Sequence, residues 1–198
     1  MKLNWAERWV VNNPLRVMEQ GIYLKKLARA MPLDPGSCCL EIGCGRGAAA
    51  KMILELFRPA SLYVTDLDPD MLKKALHYVP PDIMRSLTLA AADGHDLPFR
   101  DASIDALFGF GVLHHIPDWR GALREIRRVL RKDGRFFFEE LYPGVYQNCI
   151  TRHILAHPRD DRFLSHDLRK EMEDLGLSVN WAREIKKLGI LGIAVRRF

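Results

Sequence analysis

The chain has 198 residues, with 30 basic and 25 acidic side chains and a formal net charge of +5. This length suits one domain, and a content of 48% hydrophobic and 28% charged residues excludes a disordered or fibrous protein. The charge forms no basic tail or block, which argues against a nucleic-acid partner. An isoelectric point near 9.1 still allows weak contact with an anionic membrane surface.

The four cysteines show neither metal-ligand spacing nor a disulfide framework, so we expect no metal site and a reducing, cytoplasmic location. They are Cys38, Cys39, Cys44 and Cys149. Residues 1–13 include Glu7 and Arg8 where a signal peptide needs an apolar run. The longest uncharged apolar stretch, residues 106–113, is too short to span a bilayer. We therefore expect neither secretion through a signal peptide nor an integral membrane protein.

Helical periodicity over residues 4–31, interrupted at Asn13-Pro14, predicts two helices ahead of the core. Strands and helices then alternate along the chain. The predicted strands cover residues 38–42, 62–66, 87–91, 106–110 and 135–140, and the predicted helices cover residues 48–56, 69–78 and 122–130. Apolar strands that alternate with helices predict a parallel sheet with helices on both faces.

The last third of the chain has a different pattern. Residues 141–162 contain several Pro, Gly and Asp residues without a clean period. A helix over residues 164–175 with Ser165 as N-cap follows, and two strands over residues 177–182 and 190–195 form a hairpin. We predict a single domain over residues 1–198, with residues 1–33 as an N-terminal helical lid and residues 141–164 as an insertion or lid.

A glycine loop follows the first predicted strand. Gly43, Gly45 and Gly47 occupy alternate positions between a strand and a helix, where the backbone turns tightly and approaches a ligand. The spacing is G-x-G-x-G rather than G-x-G-x-x-G, and Glu41 places an acid at the end of the strand. Both features argue against the pyrophosphate loop of a nicotinamide oxidoreductase.

Two further acids follow the next two predicted strands. Asp66 lies 19 residues after Gly47, the distance at which an acid accepts hydrogen bonds from ribose hydroxyls. Asp68, directly before Pro69, is the better N-cap for the following helix, which leaves Asp66 available for a ligand. Asp93 is well placed to accept from an exocyclic amine such as that of adenine. Together these acids predict a nucleoside site at the strand ends.

These motifs resemble those of class I S-adenosylmethionine-dependent methyltransferases, in the type 11 branch that is similar to ubiquinone and menaquinone C-methyltransferases. The matching segments are residues 40–47, 63–72, 92–99, 104–107, 112–116 and 123–138. The resemblance implies an α/β, Rossmann-like sheet of seven mostly parallel strands in the order 3-2-1-4-5-7-6. The last strand would be antiparallel, helices would cover both faces, and an N-terminal helical extension would precede the sheet.

The resemblance also implies which residues bind the methyl donor, S-adenosyl-L-methionine. They would be Glu41, Gly43, Cys44, Gly45, Asp66, Leu67, Asp93, Gly94, Phe110 and Gly111. Gly43 and Gly45 would let the loop pass under the methionine part, and Phe110 and Gly111 would lie along the sulfonium. Glu41 would either accept amides of the glycine loop or meet the ammonium of the ligand.

A catalytic base is needed only where the acceptor carries a proton that must leave, as in a phenol or an enol. The candidate bases follow the fourth and fifth predicted strands, and each has a structural alternative. They are His114, His115, Glu139, Glu140 and Tyr142. Four N-terminal side chains, Trp5, Trp9, Met18 and Tyr23, would either cover the substrate pocket or pack onto the core.

The sequence thus predicts an enzyme that transfers a methyl group from S-adenosylmethionine to a small-molecule acceptor and releases S-adenosylhomocysteine. Residues 109–113 contain no Asn/Asp-Pro-Pro-aromatic run, which argues against DNA and protein-amide acceptors. Two alternatives stay open. One is a phospholipid or lipid-headgroup methyltransferase, and the other is a non-catalytic module that binds S-adenosylmethionine.

Overall fold

A seven-stranded sheet forms the centre of the computed structural model, which describes residues 4–11, 13–149, 151–155 and 157–198. The strands are β1 (Cys38–Ile42), β2 (Ser61–Asp66), β3 (Leu87–Ala91), β4 (Ile104–Phe110), β5 (Leu130–Leu141), β6 (Leu177–Ile185) and β7 (Gly189–Arg196). Their order is β3-β2-β1-β4-β5-β7-β6, and only β7 runs antiparallel to its neighbours. This confirms the predicted Rossmann-like topology.

Helices connect the strands and precede the sheet. They are α1 (Trp5–Val11), α2 (Pro14–Ala30), α3 (Ala48–Phe57), α4 (Pro69–Tyr78), α5 (Pro81–Met84), α6 (Trp119–Val129), α7 (Pro143–Tyr146) and α8 (Ser165–Asp174), with 3-10 turns at Leu113–His115 and Thr151–His153. Asn13 caps α2 by accepting from the Leu15 N–H at 2.9 Å, and Asp68 caps α4 as predicted. None of these helices, in the described part of the chain, combines the length and apolar character that crossing a bilayer requires.

The core consists of two apolar layers, one on each face of the sheet. Leu40 on β1 packs with Trp119 and Leu123 of α6, whereas its neighbour Cys39 packs with Leu24 of α2. Successive strand residues point to opposite faces, so a central strand must be apolar on both. This confirms that helices cover both faces of the sheet.

Four side chains of the N-terminal segment were predicted either to cover the substrate pocket or to pack onto the core, and the structure shows that they differ. Tyr23 is buried and belongs to the core. Trp9 and Met18 are 68% and 61% exposed, so they do not pack onto the core. The side chain of Trp5 lies outside the described part of the structure.

Several predicted boundaries were wrong by a few residues, and two of these errors have a clear structural cause. Strand β5 begins at Leu130 rather than at Arg135, because Leu130 already pairs with Ile104 before the turn through Asp133, whose φ is 62°. Ser165 is the first residue of α8 and not its N-cap. Its hydroxyl donates instead to Glu184 Oε1 at 2.6 Å.

Candidate active site

A cavity of about 450 Å³ opens at the carboxyl ends of the parallel strands, within the size range of small-molecule sites. It brings together most of the residues that the sequence predicted for the donor and the acceptor. Those that line it are Gly43, Cys44, Gly45, Asp66, Leu67, Asp93, Gly94, Phe110, Gly111, His114 and His115. Residues of both predicted lids also border it, including Arg16 of α2 from the first lid and Val145 and Leu155 from the second.

The glycine loop follows β1 in a backbone conformation that favours glycine. Gly43 has a φ of 64°, and a Cβ there would lie 2.5 Å from Cγ2 of Val112. Gly45 has a φ of 55°, and a Cβ there would meet nothing within 4 Å. Gly43 is therefore required by packing and conformation, whereas Gly45 leaves open space on the cavity side.

Asp66, at the end of β2, anchors this loop. Its Oδ2 accepts from the Gly45 N–H at 2.8 Å, and its Oδ1 accepts from the Asp68 N–H at 2.8 Å. Burial raises the pKa of the Asp66 carboxyl, and these two amides oppose the rise. Each oxygen keeps further lone-pair capacity, so the carboxylate can hold the loop and still accept from a ligand hydroxyl.

Asp93 follows β3, the strand that pairs with β2, and its side chain lines the cavity and is half exposed. Its Oδ1 accepts from the His95 N–H at 3.0 Å and lies 3.0 Å from the His95 ring Nδ1. The backbone hydrogen bond from His95 is the main reason that the pKa of the Asp93 carboxyl is lowered. Asp93 is thus an ionised acceptor at the cavity rim.

Glu41 lies beneath the loop and does not line the cavity. Its Oε2 is buried without a hydrogen-bond partner among the described residues. The interpretation that Glu41 accepts loop amides is wrong, because the Gly45 N–H donates to Asp66 and the Cys44 N–H donates to the carbonyl of Thr65. Burial, and secondarily the nearby Asp66, raises the pKa of Glu41 to about 8.

Glu140, at the end of β5, is fully buried and positions the 3-10 turn rather than lining the cavity. Its carboxylate accepts from the backbone N–H groups of Val112, Leu113 and His114 at 3.1, 2.8 and 3.2 Å. The ring Nδ1 of His114 lies 2.7 Å from the same carboxylate. Because a carboxylate accepts, this contact assigns a proton to Nδ1 of His114.

Tyr142 is a second candidate that the structure does not bring to the cavity. Its hydroxyl donates to Glu184 Oε2 at 2.6 Å on the β6 side of the sheet. Burial, together with this hydrogen bond, raises the pKa of the Tyr142 hydroxyl. The tyrosine that lines the cavity is Tyr146, one helical turn later on α7.

Arg16 of α2 lines the cavity and was missed by the sequence analysis. Its guanidinium contacts both carboxylate oxygens of Glu139, with a distance of 3.2 Å from Nη1 to Oε1, and also donates to Glu19. The carbonyl of Glu139 accepts from the Gly111 N–H at 2.7 Å. The candidate base Glu139 is therefore a buried partner of Arg16 that ties α2 to the sheet.

Three further cavity residues were also missed, and they surround His114 and His115. They are Glu7 of α1, Tyr146 of α7 and His157. Burial, together with the neighbouring His114, lowers the pKa of His157 to about 3 and lowers that of His115 well below its ordinary value. These residues lie on irregular or short segments, so no periodic pattern could have assigned them to the site.

A protein-family model described as a methyltransferase domain matches residues 40–138, half of the chain. This range begins in β1, ends in β5 and includes the glycine loop, Asp66, Asp93 and both cavity histidines of the 3-10 turn.

Similar proteins agree with this match. A probable phthiotriol/phenolphthiotriol dimycocerosates methyltransferase 2 of Mycobacterium ulcerans is 33% identical over 54% of this chain and 41% of its own length. A demethylmenaquinone methyltransferase of Corynebacterium urealyticum is 26% identical over 91% of this chain and 79% of its own length. A crystal structure of a SAM-dependent methyltransferase from Aquifex aeolicus has the same fold, with a TM-score of 0.76 at 16% identity over 98% of this chain and 100% of that one. The chain covers less than half the length of the first of these relatives.

Proposed function

The chain belongs to the family of methyltransferase domains, and on that premise we propose that it transfers a methyl group from S-adenosylmethionine to a small-molecule acceptor, releasing S-adenosylhomocysteine. One observation carries the proposal. One cavity is lined by the glycine loop and two carboxylates, which follow β1, β2 and β3, and also by apolar side chains and by histidines that follow β4. Methyl transfer requires donor and acceptor to be aligned in one enclosed space, and such alignment contributes about 7–11 kcal/mol to catalysis.

The glycine loop and the two carboxylates suit the donor. Gly45 leaves open space where a side chain would otherwise intrude, which lets a ligand approach the backbone. Asp66 would accept from ribose hydroxyls and Asp93 from the adenine amine, while Leu67 and Gly94 line the cavity beside them. When bound there, S-adenosylmethionine supplies an electrophilic methyl group on a sulfonium.

The apolar and histidine side chains of the cavity suit an acceptor with an apolar body and an ionisable hydroxyl. Val145, Tyr146 and Leu155 provide apolar surface, and His114 and His115 provide nitrogen atoms at the same wall. The contact of Nδ1 with Glu140 orients the His114 ring, so that its Nε2 would be the nitrogen that acts as general base. We therefore propose a phenol or enol acceptor whose proton passes to one of these histidines. If they have only a structural role, an acceptor without an acidic proton would be methylated equally well.

A lipid acceptor is the second candidate, and an exposed apolar stripe near the cavity favours it. Leu15, Met18 and Ile22 lie on one face of α2 and are 68%, 61% and 47% exposed. Arg16 and Gln20 of the same helix line the cavity. Flotation at low salt with anionic vesicles tests this alternative, because absence of bound protein would remove its physical basis.

Turnover is the test that separates the enzyme from a non-catalytic binding module. The purified chain would be incubated with S-adenosylmethionine and a panel of phenols, enols, fatty acids and lipid amines, and S-adenosylhomocysteine would be measured. We expect acceptor-dependent release with a phenol or enol. Binding of S-adenosylhomocysteine without release in any reaction would instead support a binding module.

A further inference from the structure

Three histidines from two separate segments converge on one wall of the cavity. His114 and His115 come from the 3-10 turn after β4, and His157 comes from the segment that follows α7. One ring nitrogen of each lies within 4.8 Å of the corresponding atoms of the other two. The ring centroids are 4.4 Å apart for His114 and His115, 4.3 Å for His115 and His157, and 5.3 Å for His114 and His157.

Two of the three rings have a carboxylate oxygen close to Nδ1. Nδ1 of His114 lies 2.7 Å from Glu140 Oε2, and Nδ1 of His157 lies 2.9 Å from Glu7 Oε1. These four side chains are at most 6% exposed. Histidines that bind metals almost always donate their second ring N–H to a carboxylate, a backbone carbonyl or a water molecule, which fixes the ring and makes it more basic.

The cluster also contains polar atoms without partners. Nδ1 of His115, the hydroxyl of Tyr146 and Nδ1 of His157 are buried and make no hydrogen bond to the described residues, although Glu7 Oε1 lies 2.9 Å from Nδ1 of His157. Burying polar groups without partners is costly, so an arrangement of this kind is expected to receive a ligand.

We propose that His114, His115 and His157 bind one divalent transition-metal ion of the zinc class. Neutral imidazoles suit such ions, whereas magnesium and calcium prefer oxygen ligands. Three protein ligands leave a coordination position open to the cavity, as in catalytic zinc sites. Because Zn–N bonds of about 2.1 Å place tetrahedral ligand atoms about 3.4 Å apart, the rings must rotate inward to close the site.

The histidine cluster also extends the proposed function. With the three rings bound to the ion, a hydroxyl oxygen of the acceptor would take the open coordination position and be polarised there, and its proton would leave to water instead of to a histidine. This role rests on the proposed methyl transfer, but metal binding does not. Cysteine spacing predicted no metal site, and His157 is too far from His114 and His115 along the chain to form a motif with them.

Binding is tested without donor or acceptor. The chain would be treated with a chelator, and Zn²⁺ would be titrated by calorimetry and Co²⁺ by visible absorption. Cys149 is an exposed free thiol, so all samples would carry Cys149→Ser to remove a competing ligand. We expect one equivalent of Zn²⁺ to bind and the Co²⁺ spectrum to show a low-symmetry site with nitrogen ligands.

The variants His115→Ala and His157→Asn should each weaken Zn²⁺ binding by more than the 10–100-fold that loss of an outer-sphere partner typically causes. His166→Ala, a control at a histidine whose side chain is 77% exposed on α8, should leave the affinity unchanged. Circular dichroism would verify that each variant is folded. Absence of Zn²⁺ binding in the parent, or undiminished binding in both cluster variants, would overturn the proposal whether or not the protein transfers methyl groups.

Discussion

Glu140 holds His114 at two points, because its Oε2 accepts from the His114 backbone N–H at 3.2 Å and lies 2.7 Å from the ring Nδ1. The same carboxylate accepts from the N–H groups of Val112 and Leu113. One buried side chain at the end of β5 therefore sets both the backbone of the 3-10 turn and the ring orientation of a cavity histidine. The predictions below depend on buried contacts of this kind.

We expect Glu140→Gln to destabilise the protein. The amide NH₂ of glutamine would face N–H donors that now meet a carboxylate, and each donor left unpaired costs roughly 1–3 kcal/mol. Urea unfolding would measure the loss. Glu55→Gln, at a side chain that is 56% exposed on α3, is the control and should change stability by less than about 0.5 kcal/mol. Equal stability of the two variants would contradict the positioning role.

Arg16→Ala should be among the most destabilising substitutions on α2. It would leave Glu139, which is 1% exposed, as a buried charge without its partner, a change that typically costs about 3–5 kcal/mol. Arg16→Lys should recover part of the loss, since lysine restores the charge but not the two-pronged geometry. Arg29→Ala, at an exposed position in the last turn of α2, is the matched control. Equal melting temperatures of Arg16→Ala and Arg29→Ala would refute the contribution of the Arg16–Glu139 pair to stability.

The raised pKa of Glu41 predicts a pH dependence of stability. The folded protein holds a proton on Glu41 up to a pH of about 8, whereas the unfolded chain releases it near the ordinary value of 4.5. The folded state thus binds more protons between these values, and the contribution of Glu41 to stability falls as pH rises, by at most about 1.4 kcal/mol per pH unit. Glu41→Gln should remove this fall.

Melting temperatures of the parent and of Glu41→Gln between about pH 5 and pH 8 would test this prediction. Across this window the folded and unfolded parent differ in the proton bound by Glu41. The variant should gain stability relative to the parent as pH rises. A constant difference across the window would mean that Glu41 is ionised in the folded protein.

Gly43→Ala should impair donor binding and stability together. A Cβ at this position would lie 2.5 Å from Val112 Cγ2, and the backbone φ of 64° costs a non-glycine residue about 1–3 kcal/mol. Gly144→Ala is the control, since a Cβ there meets nothing within 4 Å. Chemical denaturation and titration with S-adenosylhomocysteine would compare the two. If Gly43→Ala behaves like Gly144→Ala, the loop is not constrained as described.

Much of this fold was predictable because its signals are local. Periodicity and apolar strands indicated the alternating elements, and the ends of parallel strands meet at one edge of the sheet, which placed Asp66 and Asp93 near the glycine loop. The order of the strands came from the resemblance to a family rather than from these patterns.

The rest of the site depends on contacts between distant segments. Arg16 reaches Glu139 from α2, and Glu7 of α1 reaches His157 after α7, so the sequence around each residue carries no signal of its partner. Tyr142 and Tyr146 illustrate the same limit. They are four residues apart, yet a strand end directs one to Glu184 and a short helix directs the other to the cavity.

The central claim is that the cavity binds the methyl donor through Asp66. We would titrate S-adenosylhomocysteine, S-adenosylmethionine and NADH by calorimetry into the parent, Asp66→Ala and Asp174→Ala, whose exposed side chain on α8 makes it the control. We expect S-adenosylhomocysteine and S-adenosylmethionine to bind and NADH not to bind. The binding free energy should weaken on the order of 1.5–3 kcal/mol in folded Asp66→Ala and stay unchanged in the control. Preference for NADH, or unchanged affinity in folded Asp66→Ala, would contradict this claim.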